Sequence, residues 1–152
     1  MTIPGRTFLP GSFTAPSSTR AKTAGRFQPK PCFFSPDTDF LLVMLGTNDL
    51  LQGSSPEAVC DRMSRFLESL NREKILLIAP PPMKPGQWVS NQKLIEDSRS
   101  LAAHYQALAK RLGVRFADAG RWNVPLAYDG VHFTEDGHRA FAEGIYRELT
   151  DL

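Results

Sequence analysis

The stretch that decides the fold is DFLLVMLGTND, residues 39–49. Six apolar residues follow one another from Phe40 to Leu45, and such a run predicts a strand that is buried on both faces, as in a parallel sheet. The run stops at Gly46, and Asn48 follows two residues later. Because ligands of open α/β sheets bind beyond the carboxyl ends of the strands, we expect Asn48 at a binding edge. The alternative is that Asn48 and Asp49 only form a turn.

Two more strands are predicted downstream. Residues 74–79, KILLIA, form a second apolar run, and Pro80–Pro82 must end it because proline cannot donate to a strand ladder. Residues 114–117 predict a short third strand, which Asp118 follows. Since the carboxyl ends of parallel strands share one edge of a sheet, the loops after all three strands should open together.

Helices are predicted between and after these strands. The first starts at Pro56 with Ser55 as its N-cap. The second is long and is closed by Gly113, and the third is capped by Thr134. The order strand, helix, strand, helix, strand, helix predicts an α/β fold of three layers, with a parallel sheet between helices.

A second informative stretch is YDGVHFTEDGH, residues 128–138. Asp129 stands three residues before His132 and can accept a hydrogen bond from one imidazole nitrogen, which fixes the tautomer and stabilises the cation formed on proton uptake. The other two histidines, His104 and His138, fall in predicted helices. The alternative is that Asp129 and His132 are solvated loop residues, and spacing alone does not exclude it.

Taken together, the two stretches resemble the SGNH hydrolases, also called the GDSL esterase/lipase family, over about three quarters of the chain. The prolines Pro80–Pro82 fit the same pattern. The resemblance implies a flavodoxin-like parallel sheet and a serine hydrolase that acts on small acyl esters. It also implies that Asn48 is the oxyanion-hole donor, with Gly46 in the same loop, that His132 is the general base, and that Asp129 orients it.

The nucleophile of that family is a serine in a Gly-Asp-Ser motif near the N-terminus, and this sequence lacks the motif. Gly-Asp does not occur before residue 40, and the nearest match is PGSF, residues 10–13. Ser12 is therefore a candidate nucleophile, although it lies only 36 residues before Asn48, which is too short for the usual strand and helix. The alternative function is an inactive binding module, or a truncated remnant, that keeps the pocket without a nucleophile.

Residues 1–36 differ in composition from the rest. They hold six of the twelve prolines, five basic residues and no acidic residue, whereas the remainder holds 13 basic and 16 acidic residues. They contain no apolar run long enough for a strand, which predicts an irregular leader before a domain at 37–152. The sheet would then be incomplete at its N-terminal side, and an exposed edge predicts marginal stability or a homodimer.

Composition indicates one soluble domain of 152 residues with a net charge of +2. The basic excess lies in the leader, so no nucleic-acid partner is expected. No segment is long enough to span a membrane and no signal-peptide pattern is present, so a cytoplasmic location is the default. Cys32 and Cys60 define no disulfide framework. No metal-ligand spacing and no Gly-rich phosphate loop occurs, so no cofactor is expected.

Overall fold

The computed structural model describes residues 38–70 and 75–150. In these ranges β1 (Leu41–Val43), β2 (Ile75–Ala79) and β3 (Arg115–Asp118) form a parallel sheet in the order β1-β2-β3. The register pairs β1 with β2 from Leu41 and Ile75 onward, and β2 with β3 from Leu76 and Arg115 onward. The predicted parallel α/β architecture is confirmed for this part of the chain.

Helices cover both faces of the sheet. They are α1 (Thr47–Leu51), α2 (Pro56–Glu68), α3 (Gln92–Leu112) and α4 (Glu135–Thr150), and a short 3-10 helix spans Ala119–Trp122. The main core packs one face of β2 against α1, α2 and α3. A smaller core packs the other face against the 3-10 helix and against α4. The result is the three-layer arrangement that the order of elements predicts.

The central strand β2 shows why the sheet holds together. All five of its residues are buried, with at most 1% of each exposed. Side chains alternate between the faces of a strand, so Ile75, Leu77 and Ala79 point into the main core, and Leu76 and Ile78 point into the smaller one. A strand buried on both faces needs an uninterrupted apolar run, and this is the pattern that the sequence shows.

The predicted helix boundaries are confirmed by their caps. Ser55 Oγ accepts from the main-chain N–H of Ala58 at 3.3 Å, ahead of Pro56. Thr134 Oγ1 accepts from the N–H of Gly137 at 3.0 Å at the start of α4. Gly113 ends α3 in the left-handed conformation, with φ of 69°, which glycine adopts without a steric penalty. These local hydrogen bonds satisfy backbone groups that a helix end leaves free.

Two strand predictions need correction. The run from Phe40 to Leu45 is not a strand buried on both faces, because β1 covers three residues and Leu42 and Leu45 are 39% and 38% exposed. The physical reason is that Leu42 points away from Leu41 and Val43, which pack in the main core, and is not among the residues packed in the smaller core on the other face. The third strand begins at Arg115 rather than at residue 114 and includes Asp118.

The predicted leader, residues 1–36, lies outside the described residues, and so does Ser12. Across residues 38–70 and 75–150, no helix combines the length and the apolar character that crossing a bilayer requires.

Candidate active site

A sharp turn carries Asn48 away from the end of β1. Gly46 has φ of 115°, a conformation that residues with a Cβ rarely adopt. A Cβ on Gly46 would also lie 2.7 Å from the hydroxyl of Tyr105 and 3.0 Å from Cγ1 of Val59. That hydroxyl donates to the carbonyl of Leu45 at 3.0 Å. The turn is thus fixed from α3, and Asn48 emerges exposed in the first turn of α1.

The residue after Asn48 anchors the same turn. Asp49 is only 2% exposed, and its Oδ1 accepts from Arg62 Nη2 at 2.7 Å. Arg62 Nη2 also lies 2.8 Å from Ser54 Oγ, to which it donates. A buried carboxylate is tolerated only when it is paired, so this ion pair between α1 and α2 holds the segment beside Asn48 in one place.

The carboxylate of Asp129 is bound on both oxygens. Its Oδ1 accepts from the N–H groups of Val131 and His132, at 2.8 Å and 2.9 Å, and its Oδ2 lies 2.7 Å from His132 Nδ1. The N–H of His132, then that of Val131, then the imidazole lower the pKa of Asp129 to about 2. An ionised carboxylate only accepts, so Nδ1 carries the proton and Nε2 is free to act as a base.

The loop after β2 binds the segment that carries Asp129 and His132. The N–H of Lys84 donates to the carbonyl of Gly130 at 3.0 Å, and the N–H of Trp88 donates to that of Asp129 at 3.1 Å. Gly130 has φ of 84°, and a Cβ there would collide with the carbonyl of Lys84. The indole of Trp88 contacts the imidazole of His132 edge-on, with ring centroids 4.9 Å apart. Trp88 therefore forms one wall beside the imidazole.

These loops line one cavity of about 320 Å³. Both Asn48, from α1, and His132, from the segment between β3 and α4, line it, although they are 84 residues apart in sequence. The structure thus brings the two together at the edge where the strands end, as the sequence predicts. Most of the remaining wall is apolar and consists of Met44, Pro80, Pro81, Met83, Leu126, Val131 and Phe133. Gly46 and Asp129 are not lining residues and lie behind the residues that they orient.

The sequence did not predict every residue that lines the cavity. His138 lines it from the first turn of α4, with its ring 5.4 Å from that of Phe133. The sequence predicts that His138 lies in a helix. The one sequence feature that places this turn near the binding edge is Thr134, the predicted cap of the same helix. Thr47 also lines the cavity, whereas no serine of residues 38–70 and 75–150 does. Nor do those ranges hold three His, Cys, Asp or Glu side chains that could bind a metal ion.

The arrangement can move a proton and stabilise a negative charge. A base with its second nitrogen fixed by a carboxylate accepts a proton from a hydroxyl and holds the resulting cation. An amide N–H that donates to a developing oxyanion stabilises the negative charge that forms on it. Both groups are in place before any ligand binds.

Several solved structures share the fold. The Mycobacterium smegmatis aryl esterase is 27% identical with a TM-score of 0.70, and the match covers 78% of this chain and 63% of that one. Est24, a carbohydrate acetylesterase from Sinorhizobium meliloti, is 23% identical with a TM-score of 0.68, and the match covers 77% of this chain and 62% of that one. A proposed arylesterase from Agrobacterium tumefaciens is 29% identical with a TM-score of 0.65, and the match covers 74% of this chain and 61% of that one. The matched part thus spans somewhat over three fifths of each of these structures. No curated protein matches the sequence.

The sequence itself matches a family model. The model is that of the GDSL-like lipase/acylhydrolase family, and the match runs over residues 3–140, so it begins within the segment predicted as a leader. It includes the Asn48 turn, the prolines after β2 and the loop from Asp129 to His132. With a match over most of its length and a fold shared with solved esterases, the chain belongs to the GDSL-like lipase/acylhydrolase family.

Proposed function

We propose that the chain is a serine ester hydrolase that acts on small acyl esters. The observation that carries the proposal is the shared cavity, in which the exposed amide of Asn48 and the imidazole of His132 face the same space while Asp129 binds Nδ1. Family membership supports ester hydrolysis as the general activity. The assignment of individual roles rests on geometry and on the chemistry of these side chains.

In the proposed reaction, a serine hydroxyl attacks the ester carbonyl while His132 Nε2 takes its proton. The new C–O bond leaves the former carbonyl oxygen negatively charged, and the Asn48 amide donates to it. His132 then returns the proton to the departing alcohol as the acyl C–O bond breaks. A water molecule repeats the sequence and releases the acid. Ser12 remains the candidate for the nucleophile, and it lies outside the described residues.

The cavity favours a small acyl group. Its volume of about 320 Å³ is at the low end of ligand pockets, which run from about 300 to 1,000 Å³. Its apolar residues, which include two of the prolines that end β2, suit an alkyl chain. One matched structure, 27% identical, is named an aryl esterase, which supports ester hydrolysis as the reaction.

A second candidate function is a binding module that retains the cavity without hydrolysing an ester. One observation favours it: among residues 38–70 and 75–150 no serine lines the cavity. The apolar wall and the Asn48 donor would then hold an acylated ligand without covalent chemistry.

Hydrolysis of p-nitrophenyl acetate tests the proposal. His132→Ala should lose nearly all activity over background, whereas His104→Ala should keep it, because His104 lies on α3 and pairs with Glu57 outside the cavity. Equal rates for wild type and His132→Ala would remove His132 from the mechanism.

Labelling with a fluorophosphonate separates the two functions. A hydrolase should react at one serine, which peptide mass spectrometry identifies, and labelling should fall in His132→Ala. A folded wild-type protein that takes up no label would favour the binding module. A label on a serine other than Ser12 would keep the mechanism and replace the candidate nucleophile.

A further inference from the structure

A second cavity, of about 410 Å³, lies beside the catalytic one. The two share Pro81 and Met83 in their walls, so a single stretch of the loop after β2 separates them. The second cavity is bounded by this loop, by Arg99 on α3, and by residues 119–125, which follow β3. Nothing in the proposed reaction uses it.

The lining of this second cavity carries a positive charge. Lys84 and Arg99, both exposed, are among its lining residues, and no Asp or Glu is. Within the described ranges, neither side chain forms an ion pair with a carboxylate. Asp118 is not a lining residue, and its Oδ1 accepts from the N–H of Gly120 at 2.9 Å. Two cations that line one concave space and form no ion pair there attract an anion.

The walls are rigid before a ligand arrives. The N–H of Met83 donates to the buried hydroxyl of Ser98 at 2.9 Å, which ties the loop to α3. Ala119 and Val124 are buried on the opposite side. Asn123 has φ of 52° and presents an amide at the rim of the cavity. A preformed pocket loses less free energy on binding than one that must be ordered.

The cationic cavity is joined to the catalytic loop. Lys84, which supplies one charge, also donates its N–H to Gly130, two residues before His132. A ligand whose acyl group occupies the catalytic cavity therefore has Lys84 and Arg99 on the far side of Pro81. Because Pro81 and Met83 line both cavities, a ligand that extends over Pro81 from the catalytic cavity reaches the second one.

We propose that Lys84 and Arg99 bind a carboxylate on the alcohol part of the ester, so that the preferred substrates are acyl esters of hydroxy acids. This inference rests on the proposed ester hydrolysis. An arginine binds a carboxylate through two parallel hydrogen bonds, and a lysine adds a point charge. The chemistry thus selects among alcohols, whereas the catalytic cavity selects among acyl groups.

The test compares phenyl acetate with 4-acetoxybenzoate, which differ by one carboxylate. Wild type should show a kcat/KM for 4-acetoxybenzoate at least about tenfold above that for phenyl acetate at low salt, since charge-assisted hydrogen bonds of this kind exceed the free energy of a tenfold change. Lys84→Gln/Arg99→Gln should lose the preference through KM, and Arg99→Gln alone should lose part of it while leaving the hydrolysis of phenyl acetate unchanged. Lys110→Gln/Arg147→Gln, which removes two exposed charges elsewhere, should keep the preference.

Binding of the product acid gives a readout without turnover. NMR titration should show 4-hydroxybenzoate bound by wild type and by the control variant, and at least about tenfold more weakly by Lys84→Gln/Arg99→Gln. Binding of this kind in a protein that hydrolyses neither ester would overturn the proposed function and keep the anion site. The anion site alone would be overturned if wild type and Lys84→Gln/Arg99→Gln showed the same kcat/KM ratio for the two esters. The same holds if the two proteins bound 4-hydroxybenzoate with equal affinity.

Discussion

Asp129 binds both the main chain and the side chain of His132. One oxygen accepts the N–H of His132 at 2.9 Å, and the other lies 2.7 Å from Nδ1 of the same residue. A single carboxylate therefore fixes the backbone, the ring orientation and the tautomer together. The side chain of His132 is 59% exposed, so little other than Asp129 and the edge contact with Trp88 restricts it.

Replacing Asp129 by Asn should remove most of the activity while it keeps a side chain of similar size at this position. An amide can present its NH₂ group to Nδ1, which then becomes an acceptor and moves the imidazole proton to Nε2. The base is lost, and kcat should fall about 10³- to 10⁴-fold, as for a triad in the wrong tautomer. The measurement is kcat on p-nitrophenyl acetate. Asp118→Asn is the control, since Asp118 caps a turn outside the catalytic cavity, and it should keep kcat within a few fold.

The lowered pKa of Asp129 predicts how stability depends on acid. Its pKa in the folded protein is about 2, below the ordinary value of 3.8 for an aspartic acid side chain. The ionised form is thus favoured by folding, so this stabilisation is present in full above about pH 4 and is lost as the pH falls toward 2. Urea unfolding at pH 7, 4 and 2 should show a smaller acid-induced loss in Asp129→Asn than in wild type. Parallel pH profiles would contradict the hydrogen bonds to this carboxylate.

Much of the fold could be predicted because its signals are local. The buried strand β2 follows from an apolar run, and the caps at Ser55 and Thr134 follow from residue types at fixed offsets. Asn48 and His132 could be placed at one edge because parallel strands direct their following loops to the same side. Each inference needs only the order of elements and the chemistry of one or two residues.

Other features depend on contacts that sequence spacing does not encode. Arg62 meets Asp49 across 13 residues and a turn, with no periodicity to indicate it. The exposure of Leu42 depends on how far the smaller core extends over β1, and an apolar run cannot reveal this. Lys84 and Arg99 line one cavity because the loop after β2 lies beside α3, so no local pattern links them. The cationic site therefore had to be found in the structure.

Asn48→Ala should reduce kcat and leave KM nearly unchanged. The amide is proposed to donate only to the oxyanion that forms in the transition state, and removal of such a donor costs about 10²- to 10³-fold in kcat. The matched control is Asn91→Ala, because Asn91 accepts from the N–H of Leu94 at 2.8 Å as the cap of α3. The control should cost about 1 kcal/mol in stability with kcat preserved. A rise in KM alone for Asn48→Ala would assign the amide to substrate binding instead.

Gly46→Ala should destabilise the fold by about 2 kcal/mol or more, because it combines an unfavourable φ with a steric clash. The nearest atom to the added Cβ would be the hydroxyl of Tyr105 at 2.7 Å. Adding Tyr105→Phe removes that atom and should recover part of the loss, although it also removes the bond to Leu45. Thermal unfolding of the two single variants and the double variant measures the coupling. Strict additivity would mean that the φ penalty dominates.

The ion pair of Asp49 and Arg62 predicts an asymmetric result. Arg62→Ala leaves a carboxylate that is 2% exposed without its partner, and breaking a buried pair from one side costs about 3 kcal/mol. Asp49→Asn/Arg62→Gln removes both charges and keeps hydrogen-bonding groups at both positions, so it should be more stable than Arg62→Ala. Urea midpoints at pH 7 give both values. Lys93→Ala is the control, because its pair with Asp97 is exposed on the lysine side and should contribute at most about 1 kcal/mol. If the double variant unfolds at lower urea than Arg62→Ala, the charge of Asp49 stabilises the turn even without its partner, and the pairing does not anchor Asn48.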